Sequence, residues 1–246
     1  MKKLLLVCYL VLYPLTLYAQ QEPSDPWEGF NRAVFSFNEK FDHYLMKPVA
    51  QGYDFIFPEP VKRGVSNFFE NIKYPSYLVS DLLQFKFKRA ARHTGRFLVN
   101  STLGLGGLAD IASCLGLEQE KTDFAVALAY HGIPSGPYLV LPFLGPSSVR
   151  DAFGRAADAF LDPAFYTGEY GLKNSEELAV SFGAKGLEFT SIRARLLGVI
   201  EDARKSSLDY YLFSRSAYFQ YRRGLLKDDS SDEFEDEFDD GFDDDF

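Results

Sequence analysis

Residues 130–155 read Tyr130-His-Gly-Ile-Pro-Ser-Gly-Pro-Tyr-Leu-Val-Leu-Pro-Phe-Leu-Gly-Pro-Ser-Ser-Val-Arg-Asp-Ala-Phe-Gly-Arg155. Gly132, Gly136 and Gly145 with Pro134, Pro137, Pro142 and Pro146 break the stretch into turns. Between them lies a short apolar run, Tyr138 to Leu144. It is either one strand of a small hairpin or an extended loop. No Asp, Glu, Lys or Arg falls between 130 and 149. Ordinary connections run over the wet surface, so a charge-free connection of this length is buried or faces something apolar. A helix is predicted to follow from Ser147 or Ser148.

Outward from this stretch the periodicity is helical. Asp25, Pro26 and Glu28 read as a capping box with proline in the first turn. Phe30, Val34, Phe37, Phe41 and Leu45 follow as one apolar stripe, ended or kinked at Lys47-Pro48. Pro60 opens a second helix, with Val61, Val65, Phe68, Phe69 and Ile72 on one face. A third runs from about Ser76 to Phe85, with Tyr77, Leu78, Leu82 and Phe85 expected inward. Its continuation carries Lys86, Lys88, Arg89, Arg92 and Arg96, either a phosphate or lipid-headgroup contact or, the preferred reading, a solvated basic face. Gly104-x-Gly106-x-x-Ala109 has the outline of a dinucleotide turn, but a helix rather than a strand precedes it; it reads as a bend between packed helices. Residues 122–130 fit helix or strand. A long helix starts at Asn174, capped with Glu177, and a last one spans Ser207 to Arg223.

The net charge of −9 is unevenly placed. Residues 228–246 hold 12 acidic groups and no basic one, whereas residues 20–227 hold 24 basic and 23 acidic residues. That balance argues against nucleic acid as a partner. The N-terminus reads as a secretory signal over residues 1–19: Lys2 and Lys3, the apolar run Leu4 to Leu12, and a cleavage site after Ala19. Cys8 lies inside that run behind Val7 and reads as filler. Cys114 is then the one cysteine left, expected as a small buried apolar residue. Three domains follow: signal peptide 1–19, helical body 20–227, and tail 228–246, disordered when free.

Nothing in the sequence has the spacing of an enzyme site. His43, His93 and His131 lie on separate segments. There is no His-Glu-x-x-His, Cys-x-x-Cys, Gly-x-Ser-x-Gly or phosphate loop, so no catalytic residue, metal or cofactor is expected. His131 is expected to stabilise a turn, and Ser147 to cap a helix oriented by Arg150 and Asp151. A hydrolase at His131 or Ser147 ranks last among the functional readings. No body segment has the ~18 apolar residues of a membrane span. The amphipathic helices fit either a globular core or embedding in one leaflet.

Five stretches carry a resemblance. They are Asp25-Pro-Trp-Glu-Gly-Phe-Asn-Arg-Ala-Val-Phe-Ser-Phe-Asn38, Lys47-Pro-Val-Ala50, Arg96-Phe-Leu-Val-Asn-Ser-Thr-Leu-Gly-Leu-Gly-Gly107, Gly136-Pro-Tyr-Leu-Val-Leu-Pro-Phe-Leu-Gly-Pro146 with Arg150-Asp151, and Arg215-Ser-Ala-Tyr-Phe-Gln220. In this order the chain resembles the MlaA/VacJ family of outer-membrane phospholipid-transport lipoproteins. The resemblance implies an all-α fold: a ring of amphipathic helices with a short hairpin or extended loop, in the inner leaflet of the outer membrane. It implies a non-enzymatic route by which mislocalised phospholipids leave the outer leaflet through an amphipathic channel. An outer-membrane porin and a soluble periplasmic lipid carrier are the implied partners. Under it, Gly136, Pro137, Tyr138, Pro142, Gly145 and Pro146 become the candidate channel wall or hinge. Phe234, Phe238, Phe242 and Phe246, spaced by four in the acidic tail, become the candidate carrier-docking residues. The alternative is a soluble periplasmic lipid-binding module.

Overall fold

A computed structural model describes residues 24–163 and 175–239. In chain order they form α1 (Glu28–Phe41), a π-helical turn (Asp42–Met46), α2 (Lys47–Ile56), α3 (Glu59–Ile72), α4 (Tyr74–Leu83), α5 (Phe87–Thr102), α6 (Ile111–Cys114) and α7 (Phe124–Tyr130). Strands β1 (Tyr138–Leu141) and β2 (Gly145–Ser148) come next, then α8 (Val149–Leu161), α9 (Ser175–Arg195), α10 (Leu197–Ser206) and α11 (Tyr210–Asp239). The fold is all-α with one small hairpin. The signal segment, the Asn174 cap, Phe242 and Phe246 lie outside the described residues.

The helices pack in a closed circuit. α2 lies on α9, α9 on α3, α3 on α4, α4 on α7, α7 on α8, α8 on β2, and β1 on α1. The π turn then leads from α1 back into α2. Lys47-Pro48 therefore neither ends nor breaks the helical path. The wider π turn precedes it, and Pro48 falls in the first turn of α2, where its missing N–H costs nothing.

The central stretch forms the antiparallel hairpin, with Tyr138 opposite Ser148 and Leu141 opposite Gly145. Gly145 has φ of +76°, the left-handed conformation a three-residue hairpin loop requires. Two asparagines two turns apart on α1 fasten the hairpin. Asn31 Nδ2 donates to the Tyr138 carbonyl at 3.0 Å, and its Oδ1 accepts from Val140 N at 2.9 Å. Asn38 does the same at the tip, with Leu141 O at 2.9 Å and Phe143 N at 2.8 Å. Each amide side chain thus stands in for a missing third strand. Tyr138, Val140, Tyr211 and Phe219 make the core beneath, and Ala50, Tyr53 and Ala194 make a second small core at the α2–α9 contact.

Several local expectations change. Asp25 is not the cap of α1, whose N-cap is Trp27 with no side-chain bond. Its carboxylate accepts from Asn31 at 2.7 Å and from the Tyr211 hydroxyl, a tertiary use of a cap-like residue. The cap of α8 is Ser148, which accepts from Asp151 N, while Ser147 is buried on β2. Residues 124–130 settle as helix, capped by Asp123. The Gly104 bend is confirmed: a Cβ there would lie 2.2 Å from Ala109 O and 2.5 Å from Asn100 O, so no side chain fits. Finally, α11 continues to Asp239.

Candidate functional site

The side chains are distributed inside out. Among the described residues, 19 buried ones are polar or charged and 13 are hydrophobic. The large apolar side chains stand outside: Phe55 is 91% exposed, Leu105 76%, Phe153 70% and Phe85 65%. Helix α4 shows the inversion most simply. Ser76, Ser80, Asp81 and the following Gln84 are buried, whereas Leu82, Leu83 and Phe85 are exposed. Leu82 and Phe85 were expected inward, and the structure corrects this. On α5, Arg89, His93, Arg96 and Asn100 form a buried stripe at helical spacing, while Leu98 and Leu103 point out. Arg89 and Arg96 are therefore not a solvated face.

Buried charge needs partners, and here it has them. Asp81, fully buried, accepts from Arg89 Nε and His93 Nδ1, both at 2.6 Å. Arg89 also reaches Gln84, and Gln84 reaches Thr122. Arg96 holds both oxygens of Asp110 at 3.0 Å. Burial opposes ionisation of Asp110, but bonds from Ser113, Asn100 and Arg96 outweigh it and hold the carboxyl below its usual range. Arg222 pairs with Asp123 and lies 2.8 Å from Asp151, joining α11 to α7 and α8.

Next to this group Asp158 accepts from the Ser76 hydroxyl and faces Phe124 N. Burial, with the Asp123 charge adding to it, overcomes the Ser76 bond and pushes Asp158 up to about 6. The folded state thus favours the protonated carboxyl. Its contribution to stability is complete below pH ~4 and is lost as pH rises through ~6. Asp158→Asn, which cannot ionise, is expected to raise stability by about 1–3 kcal/mol at pH 7.5. The gain should shrink progressively between pH 6 and 4. Thermal unfolding in detergent at both pH values measures this, and an equal gain at each would refute it.

A cavity of about 490 Å³ lies where α2, α3, α9 and α10 meet. Asp54, Glu59, Lys62, Arg63, Arg195 and Ser191 are among its walls. Behind these charges the same helices are apolar: Tyr53 is buried against Ala50 and Ala194, while Phe55 and Ile56 face outward. A second pocket, between α3, α4 and α5 near His93, Arg96 and Asp110, measures only about 30 Å³, room for a few water molecules. Among the described residues no cluster of metal-type ligands occurs, and no helix is long and apolar enough to cross a membrane.

Residues 23–225 match the family described as MlaA lipoprotein. The chain belongs to the MlaA lipoprotein family. It is 36% identical over 205 residues to the intermembrane phospholipid transport system lipoprotein MlaA of Escherichia coli, covering 82% of this chain and 78% of that protein. The MlaA of Haemophilus influenzae is 30% identical over 206 residues, covering 81% and 78%. A chain solved in work on the structural basis for maintenance of bacterial outer membrane lipid asymmetry superposes with a TM-score of 0.66 at 32% identity, covering 82% of this chain and 99% of the other.

Within this MlaA fold the six hairpin residues singled out from sequence are brought together, apart from the cavity, whose walls they do not line. Tyr138 is fully buried. Gly136, at φ +69°, packs near Val149, and the Pro137 carbonyl accepts from Val149 N. The Pro142 and Pro146 carbonyls accept from Leu144 N and Arg155 Nη2. Phe143 at the tip is 58% exposed, edge-on to Phe37 and Phe41. Phe234 and Phe238 lie on α11. His131 Nε2 meets the Leu83 carbonyl at 2.8 Å, the expected turn-holding bond. Cys114, expected buried, is exposed. Sequence reading missed the cavity cations, although Glu59, the Lys62-Arg63 pair and Ser66 recur every three to four residues away from the apolar face of α3.

Proposed function

We propose that this chain is the outer-membrane component of an intermembrane phospholipid-transport system that maintains lipid asymmetry. Mislocalised phospholipids leave the outer leaflet through an amphipathic channel in the helical circuit, and a soluble periplasmic carrier takes them on. The observation that supports this best is the inverted surface. Large apolar side chains on most helices face outward while arginine and aspartate pair inside, an arrangement suited to an apolar surrounding. A soluble lipid-binding module would bury that apolar surface, so the embedded reading is the better one.

A phospholipid has a charged head and two apolar tails. Its route needs polar walls beside apolar ones, and amphipathic helices such as α2 and α3 supply both. With no nucleotide motif in the sequence, direction comes from differences in lipid free energy between sites. The chain acts as a non-enzymatic conduit without cofactor. Export uses the leader with cleavage after Ala19. The helices lie in the inner leaflet facing the periplasm, and an outer-membrane porin holds them there. The relatives are named lipoproteins; in this leader Val7 rather than a small residue precedes Cys8. Phe234, Phe238, Phe242 and Phe246 dock the carrier; unchanged carrier binding after removal of residues 228–246 would exclude that role.

The hairpin serves as wall or hinge. Gly136 and Gly145 have positive φ, so valine there costs about 1–2 kcal/mol of backbone strain. Around Gly145 the space is otherwise open. Gly145→Val is therefore expected to impair lipid transport more than it lowers protein level; equal loss of both would make the hairpin purely structural. The function as a whole is tested in cells lacking the gene. Phospholipid open to an external phospholipase at the cell surface should rise and fall again on complementation. An unchanged surface lipid content would overturn the proposal.

A further inference from the structure

The exposed side chains of α5 change character along its axis. Lys86 and Lys88 stand at its start, with the Lys86 ammonium 5.9 Å from the Tyr130 ring centroid. Past His93 the chain carries no charge as far as residue 117 except Arg96 and Asp110, and these two pair at 3.0 Å. Over the same span Leu98, Leu103, Leu105, Leu108 and Leu115 are exposed. Charge returns at residues 118–123, which run back beside the first half of α5. There the Glu120 carbonyl lies 3.0 Å from His93 Nε2 and the Thr122 hydroxyl 3.4 Å from Arg89 Nη2. The turn after α5 and α6 itself, residues 103–115, thus form a tip with leucines outward and its one charge, Asp110, tied to Arg96.

The tip also turns its polar backbone inward. Leu103 and Gly104 donate to the Val99 carbonyl, Gly106 to that of Ser101, Gly107 to that of Asn100 and Ala109 to that of Gly104, at 2.8–3.2 Å. Gly104 and Gly107 are buried, the second against the Asn71 side chain. The Leu108 carbonyl accepts from Asn67 Nδ2 at 3.2 Å. On an ordinary surface turn water would satisfy such groups; hydrocarbon tolerates irregular backbone only where protein encloses it. Leu105 points the same way. Its φ of +54° is free of strain for glycine but not for leucine, and that strained position presents an apolar side chain outward. From Lys88 to Thr102 α5 rises about 21 Å, more than the ~15 Å of hydrocarbon in one leaflet.

We infer that the α5–α6 tip is the part of the chain immersed deepest in the bilayer. Lys86 and Lys88 lie at the level of the lipid phosphates, where cations are favoured, and Leu103, Leu105, Leu108 and Leu115 lie among the acyl chains near the midplane. The inference rests on the embedded reading above and adds an orientation to it.

The test uses the full mature chain, in which Cys114 is the one cysteine, labelled there with an environment-sensitive fluorophore. The labelled chain is reconstituted in vesicles of phosphatidylethanolamine and phosphatidylglycerol. Lipids carrying a quencher near the midplane should quench the Cys114 probe more strongly than lipids carrying it at the headgroup, and aqueous iodide should lose its effect. The order should reverse for a probe on Lys88→Cys made with Cys114→Ser. Leu105→Lys replaces an exposed side chain, and thermal unfolding in detergent checks that it is folded. Its ammonium must reach the interface, so the Cys114 probe should shift towards the headgroup quencher. A probe at unchanged depth in the folded Leu105→Lys chain would overturn the inference. Quenching of the Cys114 probe by iodide, with a probe on Phe55→Cys in the Cys114→Ser chain still quenched from the lipid, would overturn it and leave the embedded reading intact. So would a Cys114 probe shielded from both phases only at high protein-to-lipid ratio, which would assign the tip to a second copy of the chain. Iodide quenching at both positions would bring down the embedded reading itself.

Discussion

Asp81→Ala is expected to lower unfolding free energy by about 3–5 kcal/mol, the cost of stranding buried charge. The carboxylate is fully buried and is the common acceptor for Arg89 and His93. His93 also meets the Glu120 carbonyl at 3.0 Å, so both ring nitrogens already face acceptors and the ring has no alternative position. Removing the carboxylate takes an anionic partner away from a buried guanidinium that also meets Gln84 and Thr122. The backbone bond of the turn after α4, Lys86 N to the Asp81 carbonyl at 3.0 Å with Phe85 between them at φ +60°, survives the substitution. For a chain of this size the loss corresponds to a fall in melting temperature of about 10 °C. Replacing the whole group, Asp81→Leu with Arg89→Met and His93→Leu, should recover much of it, because a volume-matched apolar set removes the desolvation cost along with the pairing. Thermal unfolding of the variants in the same detergent checks both claims. An Asp81→Ala protein as stable as the parent would show that the node does not support the fold.

Tyr138→Ala is expected to cost about 3–5 kcal/mol, the range for emptying a buried aromatic site. The ring is enclosed by Tyr211, Tyr218 and Phe219 at centroid distances of 5.7–6.2 Å, with the Arg215 guanidinium 5.7 Å above it. This is the junction of β1 and α11, so the cavity left behind loosens the hold of α11 on the hairpin. The hydroxyl behaves differently. It is buried without a hydrogen-bond partner, so Tyr138→Phe should be neutral or slightly stabilising. Denaturant unfolding of the pair separates ring from hydroxyl. Equal losses in the two variants would mean that the hydroxyl is bonded and that the ring is not what holds the hairpin.

The helices were legible because their apolar residues recur at helical spacing and their ends carry proline, glycine and capping residues. The hairpin was legible as one of two options, since glycine and proline fixed its turns but not its pairing. The direction of each amphipathic face was not legible. Periodicity shows that Leu82 and Phe85 share a side of α4, and that Arg89, His93, Arg96 and Asn100 share a side of α5. It does not show which side meets solvent, and in water the apolar side would have turned inward. The decisive signal lies in partners far along the chain. Asp123 pairs with Arg222 and Asp42 with Arg193, and no local pattern announces either. Asp25 looked like a cap because the residue type that caps a helix is also the type that accepts from Asn31 and Tyr211. Asn31 and Asn38 had no local signal beyond their spacing of seven.

The central claim is that phospholipid passes along the polar cavity while the aromatic surface rests in the bilayer. The most direct measurement places a photoactivatable residue at Ser66 in the cavity wall, at outward Phe55, and at exposed Asp202 on α10, followed by mass spectrometry of the adducts formed in membranes. Phospholipid adducts are expected at 66 and 55 and none at 202. Adducts at 55 with none at 66 would contradict the account, leaving a membrane-bound protein with no lipid route through it.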